Sequence, residues 1–212
     1  PYVDGSSRPL GCSVRFNFAD GSKTFRQVHV EGDVWLTSAG DNLWPVWKLN
    51  DLPAEGAIYL HEGEKACLAG WQVGLPSTCC KGGCKAPQKT DWTPLANRDV
   101  VILPDNDEAG EKFTATMVGI LQDLGCTVKV VRLGGRPTDG GDLADIVEGY
   151  DRTQAELQSL VVTLATNAKV EPQKPKAEPG LLLQKFSDIQ EREINWLWKN
   201  RIIIGGVTII TG

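Results

Sequence analysis

The sequence predicts an α/β fold with about four parallel strands flanked by helices, preceded by a small antiparallel β segment. Strand and helix patterns alternate from residue 57 to about residue 150, which is typical of parallel sheets built from βαβ units. The first 54 residues instead contain alternating apolar segments around turn signals. Residues 167–180 combine Lys, Glu and Pro with few large apolar side chains, which indicates a boundary after the α/β region.

The N-terminal segment, residues 1–54, is predicted to contain a β-hairpin. Residues 12–18 and 23–30 alternate between apolar and polar side chains, and the Asp20-Gly21 pair between them favours a tight turn. The aromatic side chains of this segment either stack on nucleobases or form its core, and the core is their more common role. These side chains are Trp35, Trp44 and Trp47.

The α/β region, residues 55–166, is expected to hold four strands and four helices. The predicted strands are residues 57–61, 73–78, 99–103 and 127–133. The predicted helices are residues 64–69, 108–124, 142–147 and 154–166.

The last part of the chain is predicted to be a flexible linker, residues 167–180, followed by the start of another domain. Residues 186–198 resemble a short helical region, and residues 206–212 form an apolar strand that ends on Thr-Gly. A buried strand of this kind leads into the phosphate-binding loop of P-loop ATPases, although an ordinary strand and turn is the alternative. The chain begins without methionine, so we interpret it as a fragment of a longer protein.

Composition limits the classes of function. The net charge of −5 argues against a protein that coats nucleic acid, but it permits an enzyme whose carboxylates are concentrated at a metal site. No apolar stretch is long enough for a membrane span and no signal peptide is recognisable, so we expect a cytoplasmic protein without membrane contact. The cluster Cys79, Cys80 and Cys84 lacks paired C-x-x-C spacing, which favours reduced thiols over zinc.

Acidic residues follow three of the predicted elements: Glu62, the pair Asp105 and Asp107, and Asp142. Parallel strands end at one edge of a sheet, so these side chains are expected to converge. Converging carboxylates repel each other unless a cation neutralises them, and their hard oxygens favour Mg²⁺ or Mn²⁺. Taken singly, each Asp could instead cap the helix that follows it.

These motifs resemble those of Toprim domains. Residues 60–66, Leu-His-Glu-Gly-Glu-Lys-Ala, resemble the Toprim glutamate motif, and residues 103–110, Leu-Pro-Asp-Asn-Asp-Glu-Ala-Gly, resemble the D-x-D motif. Residues 141–145 are similar to a later acidic motif of primases. The β-rich lead-in and the region after the linker resemble phage and plasmid primase-helicases, in which a RecA-like helicase domain follows.

The resemblance implies metal-dependent primer synthesis from nucleoside triphosphates on single-stranded DNA, coupled to a C-terminal helicase domain that would begin within residues 181–212. It assigns Glu62 as a metal ligand or general acid/base, Asp105 and Asp107 as the metal pair, and Asp142 as a further ligand. A Toprim nuclease and a catalytically silent DNA-binding or assembly module are the alternatives. Cellular primases often carry an acidic residue where this chain has Ala66, and Glu64 is the candidate substitute.

Basic residues near the motifs are candidates for binding template or nucleotide phosphates, although loop lysines are more often simply solvated. These candidates are Lys65, Lys81, Lys85 and Lys89, and the hairpin residues Arg15, Lys23 and Arg26 could extend them. The fragment is expected to be monomeric, because hexamerisation would belong to the helicase.

Overall fold

A computed structural model describes residues 1–83, 86–133, 142–149 and 152–173, and the backbone of two short strands at 196–198 and 202–203. Residues 1–174 form one compact unit and residues 175–212 form a second. The N-terminal segment and the α/β region therefore share one body. No helix in the described ranges is long and apolar enough to cross a membrane.

The N-terminal segment forms an antiparallel sheet whose four strands lie side by side in sequence order. These strands are β1 (Tyr2–Val3), β2 (Pro9–Asn17), β3 (Lys23–Glu31) and β4 (Val34–Leu36). Strands β2 and β3 make the predicted hairpin and pair from Gly11 with His29 to Asn17 with Lys23. Gly21 has φ of 82° in the turn, a conformation that glycine adopts without the strain of a Cβ.

The predicted parallel sheet is confirmed, with its four strands in the spatial order β10-β9-β6-β7. The strands are β6 (Ile58–His61), β7 (Ser77–Cys79), β9 (Asp99–Ile102) and β10 (Thr127–Val130). The chain runs from β6 to β7 on one side and then returns to β9 on the other. Open α/β sheets bind ligands where the strand order reverses in this way, here beyond the ends of β6 and β9.

Four helices cover the two faces of the parallel sheet. They are α1 (Glu64–Gln72), α2 (Glu108–Asp123), α3 (Leu143–Gly149) and α4 (Gln154–Asn167). Successive side chains of a strand point to opposite faces, so Ile58 and Leu60 pack with α2 residues while Tyr59 packs with residues of the other three helices. The predicted strand at 73–78 begins only at Ser77, because α1 continues to Gln72 and Gly74, at φ 75°, follows its C-cap.

A short parallel pair joins the N-terminal sheet to the α/β region. Strand β5 (Trp44–Pro45) pairs with β8 (Thr90–Asp91). Trp44 is buried, its ring centroid lies 5.0 Å from that of Tyr2, and its indole fills the space that a Cβ on Gly11 would need. Trp44 is thus a core residue, as predicted, and Trp47 is half-buried, whereas the prediction is wrong for Trp35, which is 50% exposed.

The first residues of the predicted linker lie along the edge strand β10. Val170 forms an isolated antiparallel bridge with Lys129, and the N–H of Glu171 donates to the carbonyl of Val128 at 2.8 Å. The side-chain amide of Gln122 donates to the carbonyl of Pro172 at 2.9 Å. Residues 168–173 therefore belong to the compact unit, whereas residues 174–180 lie outside the described residues.

The second unit is described only through β11 (Trp196–Trp198) and β12 (Ile202–Ile203), which pair antiparallel. The helix predicted for residues 186–198 is therefore wrong for its last three residues. Aromatic and β-branched side chains favour extended backbone, and that preference prevailed over the helical pattern. Residues 206–212, the strand predicted to precede a phosphate loop, lie outside the described residues.

Candidate metal centre at the edge of the parallel sheet

Glu62 directly follows β6, and its side chain is buried, with 5% of its surface exposed. Its Oε1 accepts a hydrogen bond from the backbone N–H of Asp105 at 3.0 Å. Next to this bond, the N–H of Leu103 donates to the carbonyl of Leu60 at 2.9 Å. These contacts join the glutamate motif to the D-x-D motif across the point where the strand order reverses.

Asp105 follows β9, and its half-buried carboxyl has its pKa raised to about 7. Loss of solvation on burial is the largest cause, and the negative charges of Glu62, Asp142, Asp107 and Asp145 raise the pKa further. The charges of the other acidic residues therefore act on Asp105. Neighbouring carboxylates repel each other, and a bound cation relieves that repulsion.

Asp107 has two possible roles that are compatible with each other. It is the N-cap of α2, and its Oδ1 accepts a hydrogen bond from the N–H of Gly110 at 2.7 Å. The residue is exposed, and the capping bond uses only one of its two carboxylate oxygens. Helix capping, the alternative considered for this residue, is therefore correct, and it leaves an oxygen available for a cation.

Asp142 also stands at the start of a helix. Its Oδ1 accepts a hydrogen bond from the N–H of Asp145 at 3.0 Å, and its own N–H donates to Asp145 Oδ2 at 3.4 Å. The charge of Asp142 acts on Asp105, which places the two side chains in one electrostatic environment. The third acidic motif thus reaches the same edge of the sheet as the first two.

The donors fit an open, oxygen-liganded cation better than a closed cage. Within the described ranges, no group of three or more His, Cys, Asp or Glu side chains is placed so that it could hold a metal ion by itself. Mg²⁺ retains several water ligands and takes one or two carboxylates directly, whereas structural zinc needs four protein ligands. The available donors are hard carboxylate oxygens, which suit a divalent cation such as Mg²⁺ or Mn²⁺.

Gly110 is a further site residue whose role the sequence pattern did not reveal. A Cβ at this position would overlap the carbonyl oxygen of Asp105 and lie 2.7 Å from Oε1 of Glu62. Only glycine lets the first turn of α2 pack this closely against the buried carboxylate. The available signal was a glycine inside a predicted helix, where it costs stability unless packing requires it.

Lys65 contacts acidic residues of α3. Its Nζ donates to Asp145 Oδ1 at 3.1 Å and to Glu148 Oε2 at 3.3 Å. The lysine of the glutamate motif therefore links α1 to the helix that Asp142 precedes. Its side chain is about half exposed, so it stays accessible to a phosphate.

The loop lysines occupy different environments. Lys81 is 1% exposed, its Nζ donates to the carbonyl of Ala39 at 2.6 Å, and it lies 3.9 Å from the ring centroid of Trp44. Burial, with a smaller effect from the charge of Lys89, lowers the pKa of Lys81 to about 8. In this position Lys81 anchors the N-terminal segment. Lys89 is exposed, and Lys85 lies outside the described residues.

Glu64, the candidate substitute for an acidic residue at position 66, contacts the N-terminal strand. Its Oε1 accepts a hydrogen bond from the hydroxyl of Tyr2 at 2.9 Å, and that hydroxyl also lies 3.0 Å from the carbonyl of Cys80. No sequence signal predicts this contact, because Tyr2 belongs to a strand of two residues that lies 62 positions away. Glu64 thus helps to hold β1 against α1.

His61 precedes Glu62 but does not join it in the site. Its ring is fully buried on the other side of the strand, where Nε2 lies 3.2 Å from Ser77 Oγ. Burial lowers its pKa to about 3, so the ring is neutral at physiological pH. Alternation along β6 explains why neighbouring polar residues have separate environments.

Comparison with known proteins agrees with the fold and with the position of these motifs. Residues 59–147 match a family model described as Toprim-like. The chain matches the zinc-binding and RNA polymerase domains of the Aquifex aeolicus primase with a TM-score of 0.57 and 19% identity, over 81% of this chain and 40% of that one. No curated protein matches the sequence significantly.

Two further structural matches are more remote. A chain of the bacteriophage T7 assembly of lagging-strand DNA polymerase with primase domains gives a TM-score of 0.47 at 16% identity, over 80% of this chain and 82% of that one. A DNA primase domain from Pseudomonas aeruginosa gives a TM-score of 0.46 at 15% identity, and the match covers 80% of this chain and 56% of that one.

The match to the Toprim-like family model covers residues 59–147, the stretch that contains the parallel sheet. The chain spans only 40% of the Aquifex primase and 56% of the Pseudomonas primase domain. At 19% identity, the Aquifex match supports the fold alone.

Proposed function

We propose that this chain is the primase module of a mobile-element primase-helicase and that it joins nucleotides on a single-stranded DNA template. The observation that supports this most strongly is the fixed contact between Glu62 and the backbone of Asp105, at a point where other carboxylates raise the pKa of Asp105. Such an arrangement suits phosphodiester chemistry, in which negative charge on phosphate must be neutralised.

The chain's own residues have distinct roles in this proposal. Asp105 and Asp107 would hold a divalent cation, with Asp142 as a further ligand. Glu62 orients the loop that carries Asp105, and its carboxylate is a metal ligand or assists transfer of the proton from the attacking 3′-hydroxyl. Mg²⁺ or Mn²⁺, when bound, would neutralise charge on the phosphate under attack and on the leaving oxygen.

Lysines near the site would attract substrate. Lys65 is about half exposed beside the start of α3, and Lys85 and Lys89 belong to the sequence between β7 and β9. The loop contribution in this proposal rests on Lys85 and Lys89, because Lys81 is buried against Trp44. In the full protein, a C-terminal helicase domain would supply unwound template.

The proposal is tested by incubating the chain with single-stranded template, nucleoside triphosphates and Mg²⁺, and by resolving products by length. We expect short complementary primers, and we expect their loss in Asp105→Asn and Asp107→Asn. Asp99→Asn serves as the matched control, because Asp99 is exposed at the opposite end of β9. Template cleavage in place of synthesis would overturn the proposal in favour of a nuclease. Metal binding without synthesis or cleavage would overturn it in favour of a silent assembly module.

A further inference from the structure

The tip of the hairpin formed by β2 and β3 exposes three aromatic rings. Phe16, Phe18 and Phe25 are 48%, 53% and 52% exposed, whereas Phe113 in the core is 1% exposed. Exposed rings on a projecting hairpin contribute nothing to the core of the unit. Three large exposed rings at one end of a hairpin indicate a contact surface.

Three positive charges accompany these rings. Arg15, Lys23 and Arg26 make no ion pair within the described part of the chain, whereas Lys48, Lys65, Lys112 and Arg132 each contact a carboxylate there. The guanidinium of Arg15 donates to Asn17 Oδ1 at 2.8 Å, and that of Arg26 donates to Thr24 Oγ1 at 3.0 Å. These partners are neutral, so the tip keeps its positive charge.

The register distributes rings and charges over both faces of the hairpin. Arg15 lies directly opposite Phe25 on one face, because paired residues of antiparallel strands share a face. Phe16, opposite Thr24, shares the other face with Arg26. Each face of the tip therefore presents one aromatic ring and one guanidinium group.

One of these faces leads towards the candidate metal centre. Gln27 lies on the same face as Phe25, and its side-chain amide is 3.0 Å from where a Cβ on Gly82 would lie. A Cβ built on the next residue, Gly83, would lie 3.7 Å from the main-chain carbonyl of Glu62. The face that carries Arg15 and Phe25 therefore adjoins the chain that follows β7.

We propose that the hairpin tip binds single-stranded nucleic acid, with bases stacked on Phe16, Phe18 and Phe25 and with phosphates contacted by Arg15, Lys23 and Arg26. Single strands expose flat base faces and regularly spaced anionic charges, which aromatic and basic side chains recognise together. The large exposed apolar side chains of the tip are all aromatic, and Phe16 and Phe25 lie on opposite faces, which suits a single nucleic-acid strand better than a contiguous protein interface. This inference rests on the proposed function and assigns its template a binding surface.

The test is fluorescence anisotropy of a labelled single-stranded oligonucleotide with the 212-residue chain in EDTA, over a range of salt concentrations. We expect Phe16→Ala and Phe25→Ala each to weaken binding about fivefold or more, with an unchanged salt slope. Phe25→Tyr, which keeps the ring, should bind like the wild type. Replacing Arg15, Lys23 and Arg26 together by Gln should reduce the salt slope by about 2. Val162→Ala and Lys169→Gln are exposed controls on and just after α4, and both should leave binding unchanged.

Two results would overturn the inference: an unchanged affinity in the Phe variants, or equal weakening in the α4 controls. Loss of affinity only in the basic variants would also overturn it, because the rings would then make no contribution. Asp105→Asn tests the chemistry independently, since it should bind the oligonucleotide normally. If the chain binds the oligonucleotide through the tip but makes no primer, this inference holds and the proposed function fails.

Discussion

The metal-free site should destabilise the fold at neutral pH, and the Asp105→Asn variant tests this. The pKa of Asp105 rises from 3.8 to about 7 on folding. Between these values the unfolded chain releases this proton while the folded chain retains it, so stability falls as pH rises from about 4 to about 7 and stays low above that. The asparagine variant cannot ionise, so it lacks this penalty.

The size of the effect follows from the shift. About 3 pKa units correspond to a ceiling of about 4 kcal/mol. Asp105 is only half-buried, and solvent screening reduces this to about 1–2 kcal/mol. For a domain of this size, such a difference is a few degrees in Tm. The N–H bond from Asp105 to Glu62 involves the backbone, so the substitution leaves it in place.

Thermal unfolding, followed by circular dichroism in EDTA at pH 4.5 and pH 8, measures the difference in Tm between Asp105→Asn and the wild type. We expect Asp105→Asn to exceed the wild type in Tm at pH 8 and to approach it at pH 4.5. Added Mg²⁺ should raise the Tm of the wild type much more than that of the variant. The control Asp99→Asn should show no such pH dependence. A variant less stable than the wild type at pH 8, or a gap equal at both pH values, would refute the argument from crowded carboxylates.

Substitutions at Gly110, Asp107 and Lys81 separate structural from functional roles. Gly110→Ala should lower stability by about 1–3 kcal/mol and abolish metal binding, because the added Cβ displaces Glu62. Gly149→Ala should be tolerated, because its Cβ meets open space. Chemical denaturation measures the stability of both variants. Asp107→Ala should lose activity and about 1 kcal/mol of stability, because it removes the helix cap. Asp107→Asn should lose activity but keep the cap and the stability. An equal loss of stability in both variants would be evidence against separate capping and catalytic roles. Burial lowers the pKa of Lys81 to about 8, so between pH 8 and pH 10 the folded chain releases this proton while the unfolded chain retains it. The Tm of the wild type should therefore rise over this range relative to the Tm of Lys81→Met.

The parallel sheet and the positions of its acidic residues were predictable because they depend on local patterns. Apolar strands followed by Glu62 and Asp105 define the edge of a βαβ sheet without knowledge of distant contacts. The tight turn at Gly21 was predictable for the same reason, since the Asp-Gly pair specifies backbone conformation directly.

Contacts between distant segments were not predictable from the sequence. Lys81 looks like a solvated loop lysine, yet the carbonyl of Ala39 and the ring of Trp44 bury it. Tyr2 reaches Glu64 across 62 positions, and residues 168–173 extend along β10 although their composition resembles a linker. Each of these depends on tertiary packing, which local composition does not encode.

We propose that Glu62, Asp105 and Asp107 form one divalent-cation site, and a titration of Mn²⁺ followed by electron paramagnetic resonance would detect it. Bound Mn²⁺ loses the sharp signal of the free ion, so stoichiometry and affinity follow from the free fraction. We expect saturable binding that Mg²⁺ displaces, that Asp105→Asn and Asp107→Asn weaken strongly, and that Asp99→Asn leaves unchanged. Binding that persists at full strength in both site variants would contradict the claim.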